Sequence, residues 1–334
     1  MDRMSRDHFT RERATWALAL ALAALSAPAP RASAQEGTYP DRPLRLVVPF
    51  PPGGGTDLIA RLAARQLKQR LGQQVIVDNR GGAGGMIGIE GGVRANPDGY
   101  TLLFVSASYT ALPALYKLSF DPVKDVVPVS MMATGPSIVV IHPSVPVRNI
   151  RELISYARAN PGTINYGSGG QGSHTHLIIE LFKLMAGIEM THVPYKGSGP
   201  AVTDLIAGHI QLTFGAAVSM LPHVKSGKLQ ALAVTSARRS AIAPELPTVA
   251  ESGLEGYEAM SWYGILAPAR TPGAVLARLN DELKRIAPDR EVRERLAREG
   301  FESVHDTSAA FARKIESEIE KWRKVVKAAN VKLQ

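Results

Sequence analysis

Apolar positions along the chain follow two rhythms that keep alternating. Short β-branched runs at Leu44–Val48, 75–77 and 101–105 read as strands. Between the first two, Leu58, Ile59, Leu62, Leu67 and Leu71 form one stripe of a helix over 57–71, and Gly72 stops it. Residues 86–94 read as a second helix weakened by Gly, and Asn96-Pro97-Asp98-Gly99 as a turn. The segment predicts a βαβαβ half-sheet.

A second series begins near 138–141. Asn149 caps a predicted helix through Ala159, which Asn160-Pro161-Gly162 ends. A strand at 164–166, a Gly loop and a helix capped by Ser173 and running through Met185 follow. Further strands are expected at 191–193, 211–214 and 232–234, with helices around 200–207 and 218–225. Residues 236–261 are loop-rich, 262–267 read as a strand, and 272–286, 290–299 and 308–329 as helices. The alternation predicts an α/β fold of mixed, largely parallel sheets in two lobes. Without a low-complexity linker, several short crossovers are expected to join them, and no internal repeat is visible.

Composition removes whole classes of chemistry. None of the 334 residues is Cys, so disulfide scaffolds, thiolate metal sites and cysteine nucleophiles are excluded. The 45% hydrophobic content is too high for a disordered chain. Arg3, Arg6, Arg11 and Arg13 precede an apolar run at 14–25 and the triplet Ala32-Ser33-Ala34. This is the pattern of a secretory signal peptide cleaved after Ala34. Its apolar run is about a dozen residues, short of the roughly 20 that span a bilayer. Glu12 separates Arg11 from Arg13, so there is no twin-arginine pair. Five Arg and three acids fall within 1–34, so the net charge of +9 becomes +7 for a mature chain. Export points to the periplasm. There, and with bases interspersed among acids as in Lys314, Glu316, Glu318, Glu320, Lys321 and Arg323, nucleic acid is not expected as a partner.

The strongest chemical signal is Phe50-Pro51-Pro52-Gly53-Gly54-Gly55-Thr56-Asp57, between a strand and a helix. Glycines admit a ligand to the backbone, and a helix start offers unpaired N–H groups at a positive dipole end. Together they can seat an anion without a cationic side chain. The plainer alternative is a tight turn with Thr56 as N-cap and Asp57 favouring the dipole. The Lys-Ser/Thr ending of a Walker loop is missing. A second rim, Gly167-Ser168-Gly169-Gly170-Gln171-Gly172-Ser173-His174, occupies the same position in the second series. Ser106, Ser108, Tyr109 and Thr110 follow the third strand, where ligands of open α/β sheets sit or where a capped turn would serve. In Thr191-His192-Val193-Pro194-Tyr195-Lys196-Gly197, Lys196 can attract an anion; Asp204 can accept from a ligand ammonium or fix the loop.

Three other patterns carry less. The Gly run 81–85 follows the second strand and lacks a suitably placed acid, so it reads as a close-packed loop and not a dinucleotide site. His174 and His176 are two apart on a helix and do not share a face, so no metal is expected. Neither Gly-x-Ser-x-Gly nor His-Glu-x-x-His occurs.

Taken in order, several segments resemble the Bug family, the TctC-like substrate-binding proteins of tripartite tricarboxylate transporters. They are Tyr39-Pro40-Asp41-Arg42-Pro43, the loop 53–57, Asn96-Pro97-Asp98-Gly99-Tyr100-Thr101-Leu102, 192–197, 229–236, Pro247-Thr248-Val249-Ala250-Glu251-Ser252-Gly253 and 262–268. The resemblance implies a type II periplasmic-binding-protein (Venus flytrap) fold, with lobe 1 at 35–134 plus 264–334 and lobe 2 at 135–263. It implies a receptor and not an enzyme, without cofactor or metal, acting as a monomer. Such a receptor captures a small carboxylate and delivers it to tripartite tricarboxylate permease subunits. Carried onto this chain, the expected ligand-binding residues are Phe50, Gly53, Gly54, Gly55, Thr56 and Asp57 in lobe 1, and Gly169, Gly170, Gly172, Ser173 and His174 in lobe 2. Ser106, Ser108 and Thr110 are expected at the side, with Lys196, Gly197 and Asp204 across the cleft. Two readings from other classes stand beside this one: an exported enzyme acting on a small acid, and a sensor feeding a two-component system. The first loop departs from many relatives in carrying Pro52 after Pro51, and the second is unusually rich in Gly.

Overall fold

Strand β1 (Leu44–Val48) pairs in parallel with β2 (Val75–Asn79) on one side and β3 (Thr101–Ser106) on the other. Helix α1 (Gly55–Leu71) makes the first crossover and α2 (Met86–Val93) the second. This is the predicted half-sheet, in a computed structural model that describes residues 39–82 and 85–331. The expected leader and its cleavage point lie outside the described residues. From Pro40 on, the chain clusters as one compact unit.

The sheet then changes character. Strand β4 (Val126–Ile141) is 16 residues long, about 50 Å of extended chain. Its first part, Val126 to Pro136, runs antiparallel to β9 (Met260–Pro268), which in turn pairs antiparallel with β3. Its last part, Ser137 to Ile141, is flanked by β7 (Leu212–Ala216) and β8 (Gln230–Val234), again antiparallel. Beyond β7, strands β5 (Asn165–Ser168) and β6 (Thr191–Pro194) continue in parallel. The path is β2-β1-β3-β9-β4-β7-β5-β6. It is parallel at both flanks, as the alternation predicts, and antiparallel along the connecting strands. Two halves therefore share one strand, and β9 brings the chain back into the first.

Helices α3 (Ile150–Ala159), α4 (His174–Ala186), α5 (Ser198–Ala207) and α6 (Ala217–Lys225) belong to the second half. The predicted caps hold. Asn149 accepts from the Glu152 N–H and Ser173 from the His176 N–H, and Gly72 ends α1 in the left-handed region at φ 72°. Consecutive β4 residues face opposite ways, so Val139 and Ile141 join one core while Ile138 and Val140 join another. A third core in the first half gathers Leu103, Val105, Met131, Trp262, Leu266 and Phe311.

Helices α7 (Gly273–Ile286), α8 (Arg290–Arg298) and α9 (Ser308–Ala328) follow β9, with a two-residue strand β10 (Glu302–Ser303) edging β4. Helix α9 does not sit wholly with lobe 1 as expected for 264–334. Phe311, Ile315 and Ile319 enter the first-half core, whereas Trp322, Val325 and Val326 enter a second-half core. The reason is length: 21 residues span about 31 Å, enough to reach both. Its middle is pinned by buried Glu318, which accepts from Trp262 Nε1 at 2.8 Å and Thr110 Oγ1 at 3.2 Å and pairs with Lys314 at 3.3 Å. Trp322 is 2% exposed. Replacing it with Ala should cost about 3–5 kcal/mol by the cavity left behind, read as a shift in urea midpoint. Trp322→Phe should cost much less, because Trp322 Nε1 has no hydrogen-bond partner to lose among the described residues. A loss below about 1 kcal/mol for Trp322→Ala would show that the helix end contributes little.

Candidate functional site

Loop 50–57 leaves the carboxyl end of β1 and turns directly into α1. Its shape is set from inside by one carboxylate. Asp57 is 2% exposed and accepts from the Gly53 N–H at 2.9 Å, from Arg61 Nε at 2.9 Å and from Asn79 Nδ2 at 3.0 Å. Burial alone pushes this carboxyl up. The hydrogen bonds from Arg61, Gly53 and Asn79, with the Arg61 charge, outweigh burial and hold it below its ordinary value. Asn79 Nδ2 also donates to the Phe50 carbonyl at 3.0 Å, closing the loop at its other end. Gly53 turns at φ 88°, a region that only Gly enters freely.

The helix begins two residues earlier than the sequence suggests. Gly54 is the N-cap, without a side-chain cap, so Thr56 does not cap α1. The N–H groups of Gly54, Gly55, Thr56 and Asp57 make no hydrogen bond among the described residues. Gly53, Gly54 and Gly55 are exposed. Beside them stands a residue that sequence reasoning missed. The Tyr263 hydroxyl, from β9, interacts with the Thr56 side chain and would lie 3.4 Å from a Cβ on Gly55. Its ring stacks on Phe104 at 6.0 Å and meets Phe301 edge-on at 5.1 Å. Tyr263 is the cross-strand partner of Ser106, so both face the same side of the sheet. Ser106 and Ser108 hydroxyls meet at 2.9 Å. The first half thus gathers loop amides and three hydroxyl-bearing side chains at one sheet end.

Thr110 does not join them. It is fully buried, its hydroxyl engaged by the Ala107 carbonyl at 2.8 Å and by Glu318. The chain turns into a 3-10 helix at Ala107–Ala111, which carries Thr110 inward.

In the second half, loop 167–173 follows β5 and enters α4. Most of its expected donors are already engaged. The Gly169 N–H goes to Thr175 Oγ1 at 2.9 Å, Gly170 to Ser168 Oγ at 3.1 Å, Gly172 to His176 Nδ1 at 3.0 Å and Ser173 to the Gly170 carbonyl at 3.1 Å. The unengaged N–H groups of the α4 start belong to His174 and Thr175. The His174 side chain points away. It packs edge-on against Trp322 at 6.2 Å, and its Nε2 is buried without a partner among the described residues. Its ring is thereby turned from the loop, and only its amide stays at the helix start.

The segment after β6 is laced to the same loop. The Tyr195 N–H donates to the Ser168 carbonyl and the Gly197 N–H to the Gly169 carbonyl, each at 3.2 Å. Asp204 takes the loop-fixing alternative: it accepts from the Tyr195 hydroxyl at 2.6 Å and meets His209 Nδ1 at 3.3 Å. Lys196 is exposed, with no ion pair among the described residues. A cavity of about 980 Å³ lies apart from both loops, lined by Ile242, Arg293, Ala297, Phe301 and Ser303 among others. It contains none of the expected site residues.

Burial lowers three imidazoles under this loop, His174, His176 and His192, each to about 4. A folded chain that refuses protons the unfolded chain accepts near pH 6.5 loses stability as pH falls from about 6.5 to 4. Tm should be flat above pH 7 and then drop, with a slope of up to about 1.4 kcal/mol per pH unit for each ring. His174→Phe should make that slope shallower. An unchanged Tm between pH 7 and 5 would contradict it.

Comparison with known proteins identifies the family. The model of the family described as "Tripartite tricarboxylate transporter family receptor", TctC, matches residues 59–331. Protein BugT of Bordetella pertussis is 37% identical over 330 residues, 98% of this chain and 100% of that protein. An R. palustris protein solved with adipate is 37% identical with a TM-score of 0.75, covering 88% of this chain and 99% of that one. MatC from Rhodopseudomonas palustris, solved with bound malate, is 30% identical with a TM-score of 0.72, covering 86% and 100%. The periplasmic binding protein BugD is 34% identical with a TM-score of 0.73, covering 89% and 100%. The fold is accordingly that of the two-lobed periplasmic binding proteins, and the chain belongs to the TctC family of tripartite tricarboxylate transporter receptors.

Proposed function

We propose that this chain is a periplasmic receptor that captures a small dicarboxylate between its lobes and hands it to a tripartite permease. The observation that carries this reading is the unpaired amide row of Gly54, Gly55, Thr56 and Asp57, framed by the Tyr263 and Thr56 hydroxyls. Such a row suits a carboxylate: the N–H groups and helix dipole supply positive potential, and the loop adds no cation of its own. The His174 and Thr175 amides supply the answering contact from the other lobe. Adipate and malate in the related structures favour a ligand with two carboxylates.

Binding makes and breaks no bond. Closure is a population shift, stabilised by contacts that exist only when both loops touch the ligand. Residues 1–34 act as a cleaved export signal, and the receptor works as a monomer. The shared strand β4 and the return strand β9 form the hinge, with α9 as a third link.

Tm should rise with the right dicarboxylate, because ligand at 100 times Kd stabilises by about 2.7 kcal/mol. The corresponding dimethyl ester should have no effect. Tyr263→Phe should weaken binding about tenfold while leaving Tm of the free protein nearly unchanged, since one hydrogen bond to a charged group contributes about 1.5–3 kcal/mol. If C4 to C6 dicarboxylates give neither a thermal shift nor calorimetric heat, the reading is wrong.

A further inference from the structure

Beneath loop 167–173 two imidazoles lie face to face. His176 of α4 and His192 of β6 stack with centroids 3.9 Å apart and planes 7° from parallel. Tyr166 of β5 extends the stack at 4.9 Å from His192. Each ring holds a different part of the loop. His176 Nδ1 accepts the Gly172 N–H at 3.0 Å, which requires that nitrogen to be bare. His192 Nε2 meets Ser168 Oγ at 2.7 Å, and the same hydroxyl accepts the Gly170 N–H at 3.1 Å.

The surroundings suit a pair without charge. His176 is 2% exposed, and two imidazolium ions at this separation would repel strongly. The groups facing the pair are Glu180 and Lys183 from α4 and Tyr166 from β5. Glu180 Oε1 lies 3.9 Å from His176 Nε2 but is already engaged by the Tyr166 hydroxyl and by Lys183 at 2.8 Å. Lys183 sits 5.4 Å from the Tyr166 ring centroid. The Lys183 ammonium beside this carboxylate offsets its pull on the rings, and burial prevails.

We propose that His176 and His192 are the positioning residues of this loop: as a neutral stacked pair they hold the Gly172 and Gly170 amides inward and so present the His174 and Thr175 amides to a ligand. Protonation of His176 at Nδ1 replaces an acceptor with a donor facing the Gly172 N–H, and the loop must open. This rests on the reading that loop 167–173 is one of the two carboxylate seats. Burial lowers both rings to about 4, so the brace persists at neutral pH and fails in acid.

The test uses the purified chain and NMR of ¹⁵N-labelled His and Gly. At pH 7.5 the His176 Nδ1 signal should be that of an unprotonated ring nitrogen, with the Gly172 amide protected from exchange. On acidification, Gly172 protection, corrected for intrinsic exchange, should fall as the ring titrates. His176→Phe keeps a stacking ring but no acceptor. It should expose Gly172 by about tenfold and weaken adipate or malate binding by a similar factor. His176→Asn places an amide oxygen where Nδ1 stood. It should restore protection at pH 7.5 and abolish the acid response. His192→Phe should release Gly170 in the same way, giving a second route should the first variant fold poorly.

A wild-type ring that titrates with no change at Gly172 overturns the proposal. So does unaltered protection in His176→Phe, or an acid response retained in His176→Asn. Failure of adipate and malate to bind the wild type would count against the receptor reading with those ligands, while the exchange measurements would still decide the role of the pair.

Discussion

A backbone amide can receive a ligand only if nothing in the protein has taken it first, yet an unpaired buried amide costs about as much as a lost hydrogen bond. Both loops answer this constraint in the same way. They stand at helix starts, exposed in the first and half-buried in the second, where the first N–H groups have no carbonyl to meet, and side chains brace them from behind. In the first loop the brace is Asp57, whose carboxylate engages Gly53, Arg61 and Asn79 and leaves the amides of the next turn outward. In the second the braces are Ser168, Thr175 and the two stacked imidazoles. Rigid loops cost less to order on binding, so braces of this kind can act on affinity without touching a ligand.

This explains which parts of the site were legible in the sequence. Glycine between a strand and a helix announces backbone exposed to solvent, and both loops were located on that signal. What the glycines do not announce is which amides remain open. Gly169, Gly170 and Gly172 lose theirs to Thr175, Ser168 and His176, partners whose roles depend on a rotamer and not on spacing. Thr110 was misplaced for a similar reason: its partner Glu318 lies 208 residues away. Tyr263 had a usable signal that was passed over. Strand alternation puts it on the face opposite Trp262, so a polar-tipped ring beside a core Trp was bound to face the other way.

The elements themselves were nearly all readable, with one instructive gap. The first part of β4 was not assigned, because Pro128, Gly135 and Pro136 interrupt it. Proline is normally excluded from the middle of a sheet. Here the register against β9 slips between Pro128 and Ser130 and again between Met131 and Ala133. Such bulges absorb a missing donor and bend the strand. The strand that joins the two halves is therefore also one whose register is broken, within the part paired to β9.

Helix α9 carries a consequence for how the polypeptide matures. Its early turns seal the hydrophobic interior next to β9, and its late turns seal the one beneath α4. Vectorial synthesis delivers these turns after the strands and helices they pack against. Until they emerge, both interiors lack a wall, so neither half can reach its finished packing ahead of the other. Both of these interiors are thereby completed only when this helix has joined them, whereas the core of Ile138 and Val140 draws nothing from it.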